Sequence, residues 1–169
     1  MLKIAGAFLI IAPASGIGMS FGADLKKRSQ ELRILKQLVC MLRGEIKYTK
    51  APLSEAFLHI SARIPEPFGS FLASAAEEME KADGQVLGDI WSAQIKKKLS
   101  GAHLNRTDQN QLETLGEMLG YLDLEMQLSA IDLYLEQLEG NIREADAGIG
   151  TRQKLYQTLG VAGGIFLVI

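Results

Sequence analysis

The sequence predicts an all-α protein: a six-helix cytoplasmic bundle flanked by N- and C-terminal hydrophobic membrane segments. Three observations carry this. Apolar residues at both ends of the charged region recur in steps of 3 and 4, the period of a helix face. Three of the four prolines, Pro52, Pro65 and Pro67, fall in one short stretch, which leaves long proline-free runs on either side. The two least polar stretches stand at the two termini, with the charges crowded between them.

At 169 residues, the chain has the length of one domain and can bury a real core. Its net charge of -2 argues against a dedicated nucleic-acid binder, which would show a basic excess. A single cysteine, Cys40, excludes an internal disulfide.

The first element is residues 4–22, IAGAFLIIAPASGIGMSFG, which carry no charge. A helix of about 19 apolar residues reaches about 30 Å and crosses a bilayer core. A cleaved signal peptide also fits Lys3 and the apolar run after it, but a clean small-x-small cleavage site is missing. A buried core helix is the third reading, set against small residues on all faces, as in membrane helices. The first soluble helix, about residues 24–48, carries a stripe at Leu25, Leu32, Leu35, Val39, Leu42 and Ile46. Cys40 lies one position off that stripe and reads as an unreactive packed thiol.

Pro52 opens a second helix running to about residue 63, with Leu53, Ala56, Phe57 and Ile60 on one face. Pro65 and Pro67 break the chain and start a third, buried through Phe68, Phe71, Leu72, Ala75 and Met79 and stopped by Asp83-Gly84. Val86, Leu87, Ile90, Trp91, Ile95 and Leu99 mark a fourth, ended by Gly101. Thr107 is a natural N-cap for a fifth, with Asp108 favourable in its first turn and Leu112, Leu115, Leu119 and Leu122 in its core. Gly120 permits the turn into the last helix, whose stripe is Leu124, Leu128, Ile131, Leu135, Leu138, Ile142, Ala145 and Ile149.

That helix points into the uncharged C-terminal segment, 157–169. From Leu159 it offers about 11 residues, and extended back to Leu155 about 15, or roughly 22 Å, marginal for a full span. A helix end docked on the bundle is the other reading. Glycines at 148, 150, 163 and 164 are places where the helix is free to loosen or kink. Lys26, Lys27, Arg28, Arg33 and Lys36 follow the first segment, and Arg143, Arg152 and Lys154 precede the last. By the positive-inside rule residues 24–156 lie in the cytoplasm, and both ends enter the membrane from one side. The two long helices must then be antiparallel, with their stripes packed together, although heptads this short also suit an intermolecular coiled coil.

The search for chemistry finds no catalytic, cofactor or metal site. His59 and His103 stand near no Cys or carboxylate at ligand spacing, and no glycine-rich phosphate loop or nucleophile elbow occurs. Two charge runs are candidate partner-binding patches, Glu77, Glu78 and Glu80, and Lys96, Lys97 and Lys98, set against the ordinary reading of solvated helix faces.

Four stretches carry a resemblance. They are EIKYTKAPLSEA at 45–56, with Glu45, Tyr48, Pro52, Leu53, Glu55 and Ala56; Trp91; LGEMLGYLDLEMQ at 115–127, with Gly116, Gly120, Asp123 and Gln127; and KLYQTLGVAGGIFLVI at the end. With the apolar start MLKIAG, the chain resembles the stage III sporulation protein AB family over essentially its whole length. The resemblance implies a structural component of a channel complex between mother cell and forespore, at the outer forespore membrane, with the soluble part in the mother-cell cytoplasm. It also implies a bundle similar to the cytoplasmic domain of type II secretion inner-membrane platform proteins. Its implied partners are a secretion-type ATPase, sporulation protein AA, and other membrane channel components, with self-association open. A membrane-tethered helical regulator or sensor is the competing function; it needs a pocket of convergent polar groups inside the bundle, whereas an adaptor needs an exposed patch.

Overall fold

The computed structural model describes the backbone of residues 2–49, 51–81, 84–121 and 123–168, and side chains over 23–49, 51–81, 84–120 and 123–149. Six α-helices follow in order: α1 (Leu2–Gly44), α2 (Leu53–Ser61), α3 (Phe68–Lys81), α4 (Leu87–Lys98), α5 (Arg106–Tyr121) and α6 (Leu124–Val168). A π-helical turn, Glu45–Thr49, continues α1, and there is no strand among the described residues.

The two long helices are antiparallel, and their polar contacts give the register. Arg43 bonds Asp132 at 2.6 Å, Lys36 bonds Glu139 at 2.7 Å, and Ser29 donates to Asp146 at 2.6 Å. Each step back of seven residues on α1 meets a step forward of seven on α6, two helical turns on each side. Arg43 holds the Asp132 carboxyl below its ordinary range, and Lys36 does the same to Glu139, each through its hydrogen bond first. These bonds are exposed and set register more than stability. Stability comes from the apolar seam beside them, where Leu32, Leu35, Leu38, Val39, Leu42 and Ile46 are buried with Ile131, Leu138, Ile142 and Ala145. The intramolecular reading of the two stripes is therefore the one the fold adopts.

The seam departs from the expected stripe in detail. Leu38 joins it on α1, and Tyr134 is 3% exposed where Leu135 is only partly buried. Leu124 lies 44% exposed, outside the seam. Cys40 is exposed rather than packed: one residue past the buried Val39 is a rotation of about 100°, which turns its side chain to solvent. Gly148 does not break α6; a Cβ there would stand 3.3 Å from Leu25 Cδ1, so the glycine lets α1 close in.

The short helices pack around one aromatic centre. Trp91 on α4 meets Phe71 on α3 edge-on, with centroids 4.7 Å apart, and Phe57 on α2 at 5.3 Å. Its indole Nε1 donates to the Leu112 carbonyl on α5 at 2.8 Å, which satisfies the polar end of a fully buried side chain. The ring lies against the α5 backbone at Gly116, where a Cβ would come within 2.1 Å of Trp91 Cδ1. A Cβ on Gly88 would stand 3.3 Å from the Glu117 Cα, and one on Gly120 would stand 3.2 Å from Leu87 Cβ. Three glycines thus let α4 and α5 touch along their whole contact.

Helix ends follow local chemistry. Asn105, not Thr107, caps α5: its Oδ1 accepts from the Asp108 amide at 2.8 Å, while Asp108 Oδ2 accepts from the Asn105 amide at 3.0 Å, a reciprocal box. Asp123 caps α6 through Oδ1 to the Met126 amide at 3.0 Å. α3 stops at Lys81, and Gly84 takes φ 87°, a left-handed conformation that favours glycine, in the connection where the sequence predicts a stop. Asp83 and Leu122 lie outside the described residues. So do the side chains of 4–22 and 157–169, and with them both expected membrane segments; among the described residues no helix is long and apolar enough to cross a membrane.

Two glycine substitutions test this packing in opposite directions. Gly116→Ala drives a methyl into a buried indole and should cost about 1–3 kcal/mol or more. Gly140→Ala on α6, with nothing within 4 Å of the new Cβ, should stabilise by about 0.5–1 kcal/mol through helix propensity. Urea titrations of both variants read the sign directly, and a Gly116→Ala midpoint at or above wild type would contradict the Trp91 contact.

Candidate functional site

Between the long pair and α5 lies a buried polar node that the residue pattern did not announce. Asp108 is 0% exposed, and Arg28 and Asn141 are nearly as deep. Arg28 donates to both oxygens of Asp108, Nε to Oδ2 at 2.7 Å and Nη2 to Oδ1 at 3.0 Å. Asn141 Nδ2 adds a bond to Oδ1 at 2.9 Å and reaches Gln111 Oε1 at 2.6 Å. With the Asn105 amide, the carboxylate accepts from four donors, so a buried charge is both paired and satisfied. The Arg28 guanidinium is raised further above its ordinary range, first by its bond to Asp108. Burial, helped by the Asp108 charge, pushes the Tyr134 phenol far up, so it stays neutral. One carboxylate therefore ties α1, α5 and α6 together. In the sequence it is a lone Asp in a first turn, and its partners stand 80 and 33 residues away.

A second tether lies beside it. Glu31 on α1 accepts the His103 amide at 2.6 Å and lies 2.8 Å from His103 Nδ1, while His103 Nε2 is 4.0 Å from Asp24 Oδ1. The α4–α5 corner is thus clamped to α1 at Asp24 and Glu31.

The two charge runs come together on neighbouring helices. Glu77 and Glu80 are exposed and Glu78 is half-buried near the end of α3; Lys96 and Lys97 are exposed and Lys98 is half-buried at the end of α4, where cations suit the helix dipole. Glu77 pairs with Lys81 at 2.6 Å. That bond first, then the charges of Lys98 and Lys97, hold its carboxyl below the ordinary range. The acidic run is therefore partly answered within the molecule. Lys96 makes no ion pair or hydrogen bond among the described residues. It lines an open groove of about 590 Å³ between α4 and α5, together with Arg106, which is equally free of ion pairs among them.

Most family-like residues turn out to be structural. Trp91 and Gly116 are the two sides of one contact, Gly120 admits Leu87, Ala56 is buried and Leu53 packs on the core. Asp123 caps α6, and Gln127 Nε2 reaches back to the Leu119 carbonyl at 2.8 Å, which closes the α5–α6 turn. Pro52 precedes α2, and its carbonyl accepts the Ala56 amide at 3.0 Å. Glu55 lies 3.8 Å from His59 on the surface at i, i+4, which corrects the expectation that no carboxylate stands at that spacing from His59; among the described residues no third ligand joins the pair. Thr49 closes the π-helical turn with its hydroxyl on the Glu45 carbonyl at 2.6 Å. Within that turn Tyr48 stands 75% exposed with Lys47 Nζ 5.3 Å from its ring, and Glu45 Oε2 is buried with no hydrogen-bond partner among the described residues.

These residues also share a place. The heptad register of α1 against α6 puts the π-helical turn level with the first turns of α6. That end is opposite the one where Ser29 meets Asp146. Leu124 and Met126, 44% and 54% exposed, stand at the same remote end. Met126 has no position in a core stripe, and a large apolar residue off the stripe is the signal that sequence reading passed over.

A family model for stage III sporulation protein AB matches residues 3–169. The chain belongs to the stage III sporulation protein AB family. Stage III sporulation protein AB of Bacillus subtilis (strain 168) is 25% identical over 169 residues, spanning 100% of this chain and 98% of its own. A solved structure of stage III sporulation protein AB superposes with a TM-score of 0.68 at 24% identity, over 73% of this chain and 97% of that one. That likeness shows the fold. The chain is thus an all-helical member of the sporulation family, and its family-like residues are largely packing and capping devices.

The node makes a stability prediction. Asp108→Ala strips the buried Arg28 of both short hydrogen bonds, leaving only Glu144 at 3.7 Å, and takes one of the two acceptors of Asn141; it should cost about 3–5 kcal/mol. Asp132→Ala, which removes an exposed partner of Arg43, should barely move the urea midpoint. Equal shifts for the two would refute the dominance of the buried node.

Proposed function

We propose that this protein is a structural membrane-platform component of the secretion-like channel between mother cell and forespore, linking a cytoplasmic secretion-type ATPase, sporulation protein AA, to the membrane complex. Membership of the sporulation family supports the setting. The observation that carries the coupling role is the polarity of the bundle. Both terminal apolar segments continue from one end of the α1–α6 pair, while exposed apolar side chains and the family-like turn occupy the other. In this reading 4–22 and 157–169 hold the outer forespore membrane, and the remote end meets the ATPase in the mother-cell cytoplasm.

Tyr48, Leu124 and Met126 supply the apolar anchors at that end, and an interface draws its energy from a few such residues. The Glu77–Glu80 and Lys96–Lys98 runs act as secondary, salt-sensitive surfaces toward other channel components or a second copy. The sensor alternative loses support because the bundle centre is filled by Phe57, Phe71 and Trp91, each fully buried, where a ligand pocket would have to be.

Binding of the full-length protein in lipid nanodiscs to the ATPase tests the reading. Tyr48→Ser with Met126→Ser should weaken binding at least about tenfold, the scale of one lost hot spot, with an unchanged melt because both side chains are exposed. Unchanged binding would move the interface to the charge runs. For topology, Thr107→Cys in a Cys40→Ser background should resist an impermeant thiol reagent applied to intact cells; rapid labelling would contradict a cytoplasmic bundle.

A further inference from the structure

The α4–α5 corner, whose loop joins Ser100 and Arg106 at the groove, lies close to where the chain leaves the uncharged N-terminal segment. His103 Nε2 is 4.0 Å from Asp24 Oδ1, and Asp24 follows residue 22, the last of that segment, by two positions, about 3 Å of helix rise. Arg106 stands three residues beyond His103, and two before the Asp108 that is bonded to Arg28. Lys26 and Lys27 are exposed on the neighbouring turn of α1. The corner thus brings Lys26, Lys27 and Arg106, with the carboxylates of Asp24 and Glu31 beside His103, to the level where, on the membrane-anchored reading, lipid headgroups begin.

The groove itself is built for a small anion on a soft floor. Ile95 and Leu99 are buried beneath it, Lys96 and Arg106 flank it, Ser100 and Asn110 offer hydrogen-bond donors, and Gln109 Nε2 donates to the Leu104 carbonyl at 3.2 Å. One carboxylate, Glu113, also lines it, and the Ser92 hydroxyl donates to Glu113 at 3.3 Å. Lys97 and Lys98 lie toward α3, where Glu77 answers them; Glu66, held low first by Ser70, also feels Lys98. Lys96 and Arg106 have no such answer among the described residues.

We infer that the Lys96–Arg106 groove is a docking site for the phosphate of an anionic lipid headgroup, which seats the α4–α5 corner on the membrane surface and fixes the tilt of the bundle. The inference rests on the membrane-anchored reading of 4–22 and goes beyond it, since an anchor sets where the bundle sits and not which of its faces meets the headgroups. Each cation near an anionic leaflet contributes about a fivefold bias toward the surface, falling off within a Debye length. Two free cations on one corner therefore orient the domain, and the buried Asp108 node and the Glu31–His103 clamp transmit that orientation to α1. An acidic peptide would suit the same charges, but the contact of the α4–α5 corner with Asp24 through His103, just past the uncharged segment, favours the lipid.

The test uses the full chain with Cys40→Ser and Thr107→Cys, an environment-sensitive fluorophore on the introduced thiol, and reconstitution into phosphatidylglycerol or phosphatidylcholine vesicles. Flotation is read first. A protein that floats with neither vesicle overturns the anchored reading and this inference with it. For a protein that floats with both, quenching by a headgroup-attached quencher should be stronger in phosphatidylglycerol and fall with salt. It should drop severalfold with Lys96→Gln and Arg106→Gln, which remove exposed, unpaired cations and leave the melt unchanged. Equal quenching in the two lipids, or no change in the double variant, overturns the headgroup site while the anchor stands. Loss of the signal on adding millimolar inorganic phosphate at constant ionic strength, or binding of a polyglutamate peptide in place of lipid, assigns the groove to a free anion or an acidic partner and also overturns it.

Discussion

A carboxylate removed from water must be met by donors or give up its charge, and Asp108 is met by four. Two come from α1 through Arg28, one from α6 through Asn141, and one from the amide of its own cap. No rigid shift of any of these three helices keeps all four bonds. The apolar seam between α1 and α6 supplies most of the driving force, but apolar contacts tolerate sliding, whereas a buried, fully satisfied charge tolerates little. The node therefore acts as the registration point of the bundle. The heptad-spaced polar contacts from Ser29–Asp146 to Arg43–Asp132 extend that register along the pair.

The second constraint is steric. Trp91 fills the centre of the short-helix layer and needs Gly116 opposite, since any side chain there would occupy the ring. Gly88 and Gly120 continue the close approach, so α4 and α5 form one unit. Because α5 carries Asp108, the position of that unit against the long pair is fixed by the same node. Local helix chemistry, an aromatic centre and a polar lock thus agree on one arrangement, the mutual consistency that gives a single native state.

Helix number and order were legible because their signals are local: a 3,4 period, prolines at starts, and Gly84 at a stop. The antiparallel pairing of the two stripes followed from another argument, the charges flanking the two apolar ends, and the polar contacts from Ser29–Asp146 to Arg43–Asp132 show the pairing itself. What escaped the sequence depends on distant partners. Asp108 and Arg28 are 80 residues apart, and nothing near either marks the pair. Asn105 rather than Thr107 caps α5 because the Asp108 side chain, already turned inward to Arg28, reaches the Asn105 amide. The charge runs were visible as runs, yet their neighbourhood on α3 and α4, which partly neutralises the acidic one, follows from helix crossing and not from composition. Cys40 was misplaced by one step of helix rotation.

If the Arg28–Asp108 pair holds three helices in register, the two residues must be strongly coupled, and a double-mutant cycle measures that coupling most directly. Stabilities of Arg28→Ala, Asp108→Ala and the double variant, read by urea titration, give a coupling that solvent-exposed pairs do not reach. The buried node predicts a coupling of about 2–3 kcal/mol, with the double variant clearly more stable than the two single losses would sum to. Additivity within about 0.5 kcal/mol would contradict it.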